Sequence, residues 1–179
     1  MFDIESKNPD EITITTKKTS VTFNVAQGMV DADLKVGKIQ GPGEFEIGDV
    51  SIRALSVGTQ PAASSHSVAS EAFDTPNDSK SPVSFDPNGA KVIYDVEVGG
   101  VHVGIIGGCE EGLDDLGMVG VLCTSSVRAV REVEPRLVVA MGNVDGMVTD
   151  LKLSARTEKK LKIKNADSLP LALEVVVLN

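Results

Sequence analysis

The chain has 179 residues and a formal net charge of -9, from 26 acidic and 17 basic side chains. That length suits one domain with a sizeable core, and the acidic balance repels phosphate backbones and so argues against nucleic-acid binding. Apolar residues make up 41% but aromatics only 3%, so the core is expected to be built from Val, Ile, Leu and Ala, which suits β-rich packing.

Two cysteines, Cys109 and Cys123, are too few for a disulfide framework and read as reduced thiols of a cytoplasmic protein. No basic stretch precedes an apolar one at the start, so no signal peptide is expected. No apolar run approaches the length of a membrane span.

Residues 1–10 are polar and end in the turn Asn8-Pro9-Asp10. Ile12 and Ile14, then Val21, Phe23 and Val25, alternate with polar residues on either side of a Thr/Lys interruption, which predicts a hairpin. Residues 26–38 read as an irregular connection with a short strand near Leu34 to Val36. Gly41-Pro42-Gly43 is a tight turn. Phe45 and Ile47 mark one strand, and Val50, Ile52 and Ala54 mark the next.

Pro61 to Asn88 is rich in Ser, Ala, Pro, Asn and Asp and has no apolar period. It reads as a mobile loop or disordered insertion within a single domain spanning 1–179. Lys91 to Cys109 is the most strongly patterned stretch. Val92, Tyr94, Val96 and Val98 alternate with Ile93, Asp95 and Glu97. Gly99-Gly100 then supplies a two-residue turn, and Val101, Val103 and Ile105 resume the alternation.

Glu110 to Leu116 predicts a short acidic helical turn, and Val119 to Cys123 a buried strand. Thr124 or Ser125 is expected to cap a helix over Val127 to Val133, which stops before Pro135. Arg136 to Met141 reads as a buried parallel strand, which completes a βαβ unit. Thr149 to Ser154 predicts a short helix, and Glu158 to Lys164 an edge strand guarded by lysines. Leu173 to Leu178 reads as the last strand.

Candidate chemistry is sparse. Neither histidine, His66 nor His102, stands at ligand spacing from the other. His102 alternates with Val101 and Val103 and reads as the solvent-facing residue of its strand, while His66 lies in the Ser-rich segment. Cys123 sits in an apolar run and reads as core. Cys109 follows Gly107-Gly108 and is expected to be exposed, but no histidine is near to activate it. Asp114 and Asp115 with Glu110 and Glu111 form a carboxylate cluster that could attract a hard cation, yet they match no EF-hand spacing and suit a helix start. Gly107-Gly108 is a weak phosphate cradle without a dinucleotide fingerprint or a P-loop lysine. The lysines and arginine between Lys152 and Lys164 read as a solvated face.

Four stretches together carry a family resemblance. Gly41 to Ile52 (GPGEFEIGDVSI) resembles GPGEYE followed by I or V, then x-G-V-x-I. Ile105 to Gly108 stands where relatives have HLGD, and Glu134 to Asn143 (EPRLVVAMGN) where they have EPRIVIPMHY. Glu174 to Leu178 is EVVVL in both. The chain thus resembles the short bacterial, lactonase-like members of the metallo-β-lactamase superfamily. The resemblance implies an α/β fold, a metallo-β-lactamase-like αββα sandwich, here β-rich and truncated.

The resemblance also implies a metal site, and the ligands are missing. No His-x-His-x-Asp-His loop follows Ala32-Asp33-Leu34. Ile105 replaces a ligand histidine, Gly108 the bridging aspartate and Gly142 the last ligand histidine. Catalytic zinc needs about three protein ligands and an open position. The expectation is therefore a degenerate, metal-free domain without a cofactor, acting through a protein partner or as a homo-oligomer. One alternative is a hydrolase of altered chemistry using Cys109, Asp114, Asp115 or His66 on an ester, lactone or phosphodiester. Another is a small-ligand or phosphate-binding module at Gly107 and Gly108.

Overall fold

Apolar/polar alternation in the strands at 20–24, 43–47 and 161–163, with continuous aliphatic runs at 121–124 and 137–140, stacks two sheets face to face. The computed structural model describes residues 1–26, 29–32, 38–57, 91–142 and 144–179. Its strands are β1 Phe2–Asn8, β2 Glu11–Thr15, β3 Ser20–Asn24, β4 Met29–Ala32, β5 Lys38–Gln40, β6 Gly43–Ile47 and β7 Val50–Val57. They continue with β8 Lys91–Val98, β9 Val101–Gly107, β10 Val121–Thr124, β11 Leu137–Ala140, β12 Ala155–Glu158, β13 Leu161–Ile163 and β14 Glu174–Leu178. Two helices, α1 Val127–Val133 and α2 Val144–Leu151, and a 3-10 turn at Leu113–Leu116 complete the part that bears on function.

The smaller sheet has the order β13-β1-β2-β3-β4-β5 and the larger β12-β14-β11-β10-β9-β8-β7-β6. Because side chains alternate faces, Ile4, Ile12, Ile14, Val21 and Phe23 point inward from the smaller sheet. They meet Tyr94, Val96, Val103, Ile105, Cys123 and Val139 of the larger one in a continuous apolar layer. The smaller sheet's other face is polar: Thr13 and Thr22 share a hydroxyl hydrogen bond of 2.9 Å, and Thr15 and Ser20 one of 3.2 Å.

The larger sheet is different, because it is covered on both sides in its middle. Ile93, Ile106, Leu122 and Val138 point outward from it and pack under Leu113, Leu116, Ala129, Val130 and Met147. The strands β9, β10, β11 and β14 run parallel to one another, and α1 is the crossover between β10 and β11, as the βαβ pattern predicts. Gly99 (φ 58°) and Gly100 (φ 74°) form the expected left-handed turn between β8 and β9. Val57 and Lys91 are cross-strand partners, so β7 and β8 are neighbours.

Several expectations are corrected. Residues 2–8 are a strand and not merely a polar lead-in, because Phe2 and Ile4 pair with Ile163 and Leu161 and are buried. The cap of α1 is Ser126, neither Thr124 nor Ser125. Its Oγ accepts the Ala129 N–H at 3.1 Å, the three-residue reach that a cap needs. Thr124 ends β10, and its hydroxyl donates to the Gly107 carbonyl at 2.7 Å. The second helix occupies Val144–Leu151, upstream of the expected Thr149–Ser154. Leu34 to Val36 and 61–88 lie outside the described residues.

Phe23 is fully buried and its ring meets Tyr94 edge-on at 5.3 Å, which joins the two sheets. Phe23→Ala is expected to lower unfolding free energy by about 3–5 kcal/mol. Urea titration should show this as a lower midpoint at an unchanged slope.

Candidate functional site

The parallel run β9-β10-β11 brings three strand ends to one rim of the sandwich. β9 ends at Gly107 and is followed by Gly108, β10 ends at Thr124 and is followed by Ser125, and Met141 and Gly142 follow β11. Backbone bonds lock the three together: the Ser125 N–H donates to the Gly107 carbonyl at 2.8 Å, and the Met141 N–H to the Thr124 carbonyl at 2.9 Å. A Cβ placed on Gly108 would lie 3.2 Å from the Ser125 hydroxyl, and one on Gly142 3.9 Å from the Ser125 Cβ. The fold therefore gathers Gly108 and Gly142 around Ser125. A hollow of about 250 Å³ beside them is lined by Asp10, Val25, Lys91, Gly107, Gly108 and Cys109.

This rim holds the positions that the resemblance assigns to a metal, and its residues do not fit one. Ile105 is completely buried in the inter-sheet layer. Gly108 offers no side chain. Gly142 adopts φ 70°, a left-handed conformation that costs a side-chain-bearing residue roughly 1–2 kcal/mol. Among the described residues, no three His, Cys, Asp or Glu side chains come together in a group able to hold a metal ion. His66 lies outside the described residues. Gly107 has a packing reason of its own: φ is 56° and a Cβ there would meet Val25 at 2.8 Å.

The other candidates scatter. Cys109 is buried, contrary to its expected exposure. Its N–H turns back to the Ile106 carbonyl at 3.0 Å, which also removes one amide from any phosphate cradle there. Cys123 is fully buried, and loss of solvation pushes its thiol up to about 12. Asp114 and Asp115 are exposed at the 3-10 turn. Glu110 faces α1 instead, accepting from the Ser126 hydroxyl at 2.6 Å and standing 4.0 Å from Arg128. Two residues of the basic segment are engaged within the chain: Lys160 bridges Asp3 and Glu5, and Arg156 contacts Glu158 and Glu174.

One constellation was not legible as a site in the sequence. On the uncovered part of the larger sheet's outer face, Asp95 is only 8% exposed. It accepts from Arg53 Nη2 at 2.9 Å on one oxygen and pairs with His102 Nδ1 at 3.1 Å on the other. The same Arg53 nitrogen donates to the Asp115 carbonyl at 2.6 Å, tying the 3-10 turn to the sheet. A buried carboxylate is tolerable only when its lone pairs are satisfied, and here two cationic or polar partners share it. His102 does face solvent, as expected, but it is held and not free. These groups line a groove of about 570 Å³.

With this geometry in place, comparison with known proteins adds one finding. The chain matches no protein-family profile and no curated protein. A solved structure does match over 100% of both chains, with a TM-score of 0.57 at 12% identity. It is that of a candidate Zn-dependent hydrolase of the metallo-β-lactamase superfamily from Thermotoga maritima. The likeness is one of fold: the chain has the β-rich α/β sandwich architecture of that superfamily.

Burial of both cysteines has a direct chemical consequence. A thiolate-selective disulfide reagent at pH 8 is expected to label neither Cys109 nor Cys123 in the folded protein and both after denaturation. Rapid labelling of Cys109 in the native state would restore it as a candidate nucleophile.

Proposed function

We propose that this chain is a metallo-β-lactamase-fold domain that acts by binding a protein partner or a second copy of itself, in the cytoplasm, without metal-dependent hydrolysis. The observation that carries this reading is the rim. Its three family ligand positions are a sealed aliphatic side chain, Ile105, and two glycines, Gly108 and Gly142. Fold alone does not bring chemistry with it when the groups that perform the chemistry differ. What the rim offers is a shallow, small-residue surface around Ser125, suited to close approach by another backbone. Among the described residues no helix is long and apolar enough to cross a membrane.

Metal analysis of the purified protein, combined with its mass in solution, tests this. The expected result is well under one zinc or iron per chain, and no stabilisation by added zinc, since a ligand that binds only the folded state must raise its apparent stability. Near-stoichiometric metal that disappears in His66→Ala would overturn it. So would ester, lactone or phosphodiester hydrolysis abolished by Cys109→Ala or Asp115→Ala, which would favour a hydrolase of altered chemistry. Mass matching a dimer or larger assembly supports self-assembly, whereas a monomer directs the reading to a separate partner.

A further inference from the structure

The end of the parallel strands opposite the rim carries a different kind of surface. There β9 begins at Val101, β10 at Val121, β11 at Leu137 and β14 at Glu174. A groove of about 490 Å³ opens beside these starts. The nearly buried Val101, Val119 and Leu169 close its base, the half-buried Val133 lines it, and Glu134 and Arg136 are its exposed charged residues. Gly120 keeps the base tight, because a Cβ there would meet the Leu169 side chain at 2.8 Å.

Large apolar side chains collect at this end without cover. Among the described residues Leu171 is 99% exposed, Met118 94% and Met1 63%. Met118 borders the groove and stands free in solvent. Leu171 lies two residues after Leu169 and three before Glu174, whose N–H donates to the Arg136 carbonyl at 3.1 Å. Met1 is beside Gly99, next to the groove residue Gly100: a Cβ on Gly99 would lie 3.8 Å from the Met1 nitrogen. Apolar residues scattered singly over a surface are ordinary, but a group of them at one end marks a contact surface.

The support of Leu171 is rigid. A second 3-10 turn, Ala166–Ser168, is held by a reciprocal cap. The Asn165 side chain accepts the Ser168 N–H at 3.1 Å, and Ser168 Oγ accepts the Asn165 N–H at 3.2 Å. The Leu169 N–H then donates to the Ala166 carbonyl at 3.2 Å, and Pro170 fixes its own φ just before Leu171. A side chain presented on such a support loses little freedom when a partner buries it.

Charge chooses the partner. At a net charge of -9, copies of this chain repel over most of their surface. Self-contact therefore needs a face whose charges cancel, and Glu134 and Arg136 supply one. They flank the buried Pro135, and among the described residues neither side chain makes an ion pair. Glu134 moreover holds φ 51° at the C-cap of α1, a conformation that glycine takes without strain. Apolar knob, apolar groove and both signs of charge lie on one face, as a two-fold, self-complementary contact requires.

We infer that this face is the interface between two copies of the chain related by a two-fold axis. Leu171 of each copy seats in the partner's groove against Met118 and Val133, and Glu134 of each copy pairs with the partner's Arg136. The inference rests on the self-assembly reading proposed above and assigns it a surface, one that leaves the rim uncovered in the dimer.

Light scattering on the full chain across a concentration series tests this. The parent is expected to reach the mass of a dimer. Leu171→Asp, folded by circular dichroism, should weaken the dimer by roughly a hundredfold or more, because an anchor lost at a two-fold contact is lost twice. Glu134→Arg should also give a monomer, and adding Arg136→Glu to it should restore the dimer, since the reversed pair again meets its complement across the axis. A dimer that persists unchanged in Leu171→Asp or in Glu134→Arg overturns this inference and leaves self-assembly through another surface. A folded double reversal that stays monomeric overturns it too. A parent that is monomeric at every concentration overturns the inference and leaves a separate partner. Stoichiometric zinc in a dimer that Leu171→Asp dissociates supports the interface and overturns the metal-free function instead.

Discussion

Strand β8 is the constraint on which the rest of this structure depends. Its residues Val92 to Val96 are all buried, on both faces of the larger sheet. On one face Tyr94 and Val96 help to close the inter-sheet layer; on the other Ile93 is covered by the 3-10 turn and its neighbours. A shift of one residue in its register would exchange these two faces. It would place Asp95 in the apolar layer and turn Tyr94 to the outer face, under the 3-10 turn. The positive-φ turn at Gly99-Gly100 fixes the register against β9, and eight cross-strand pairs fix it against β7.

That constraint explains why so much of the fold was readable from residues and so little of the site. Alternation at 92–98 and 101–105 specifies strands directly, because one face of each must be apolar. The βαβ unit at 121–140 follows from two aliphatic runs around an amphipathic segment. The strand at Phe2–Asn8 was missed although Phe2 and Ile4 alternate with Asp3 and Glu5. Its burial depends on partners far along the chain, Leu161 and Ile163, which no local window contains. The α1 cap was misplaced because Thr124, Ser125 and Ser126 are all competent by type. The choice rests on where the strand ends, and Thr124 is taken up by the Gly107 carbonyl.

The His102–Asp95 pair illustrates a signal that was present but unused. Once a two-residue turn is placed at 99–100, pairing runs Val98 with Val101, Glu97 with His102 and Asp95 with Gly104. The diagonal approach of an imidazole to a carboxylate follows from that counting. Arg53 does not follow, since its distance from Asp95 along the chain is long and only the assembled sheet sets it. At the rim the reverse holds. Ile105, Gly108 and Gly142 were visible as letters, but the left-handed backbone at Gly142 and the complete enclosure of Ile105 belong to the three-dimensional fold.

The antiparallel partnership of Val57 with Lys91 has a consequence for how such a chain can change. Eight cross-strand pairs hold β7 to β8 from Val50 and Val98 to Val57 and Lys91. The register between these strands is therefore set by the pairs themselves and not by the length of sequence that joins them, so a change of length between Val57 and Lys91 leaves that register where it is.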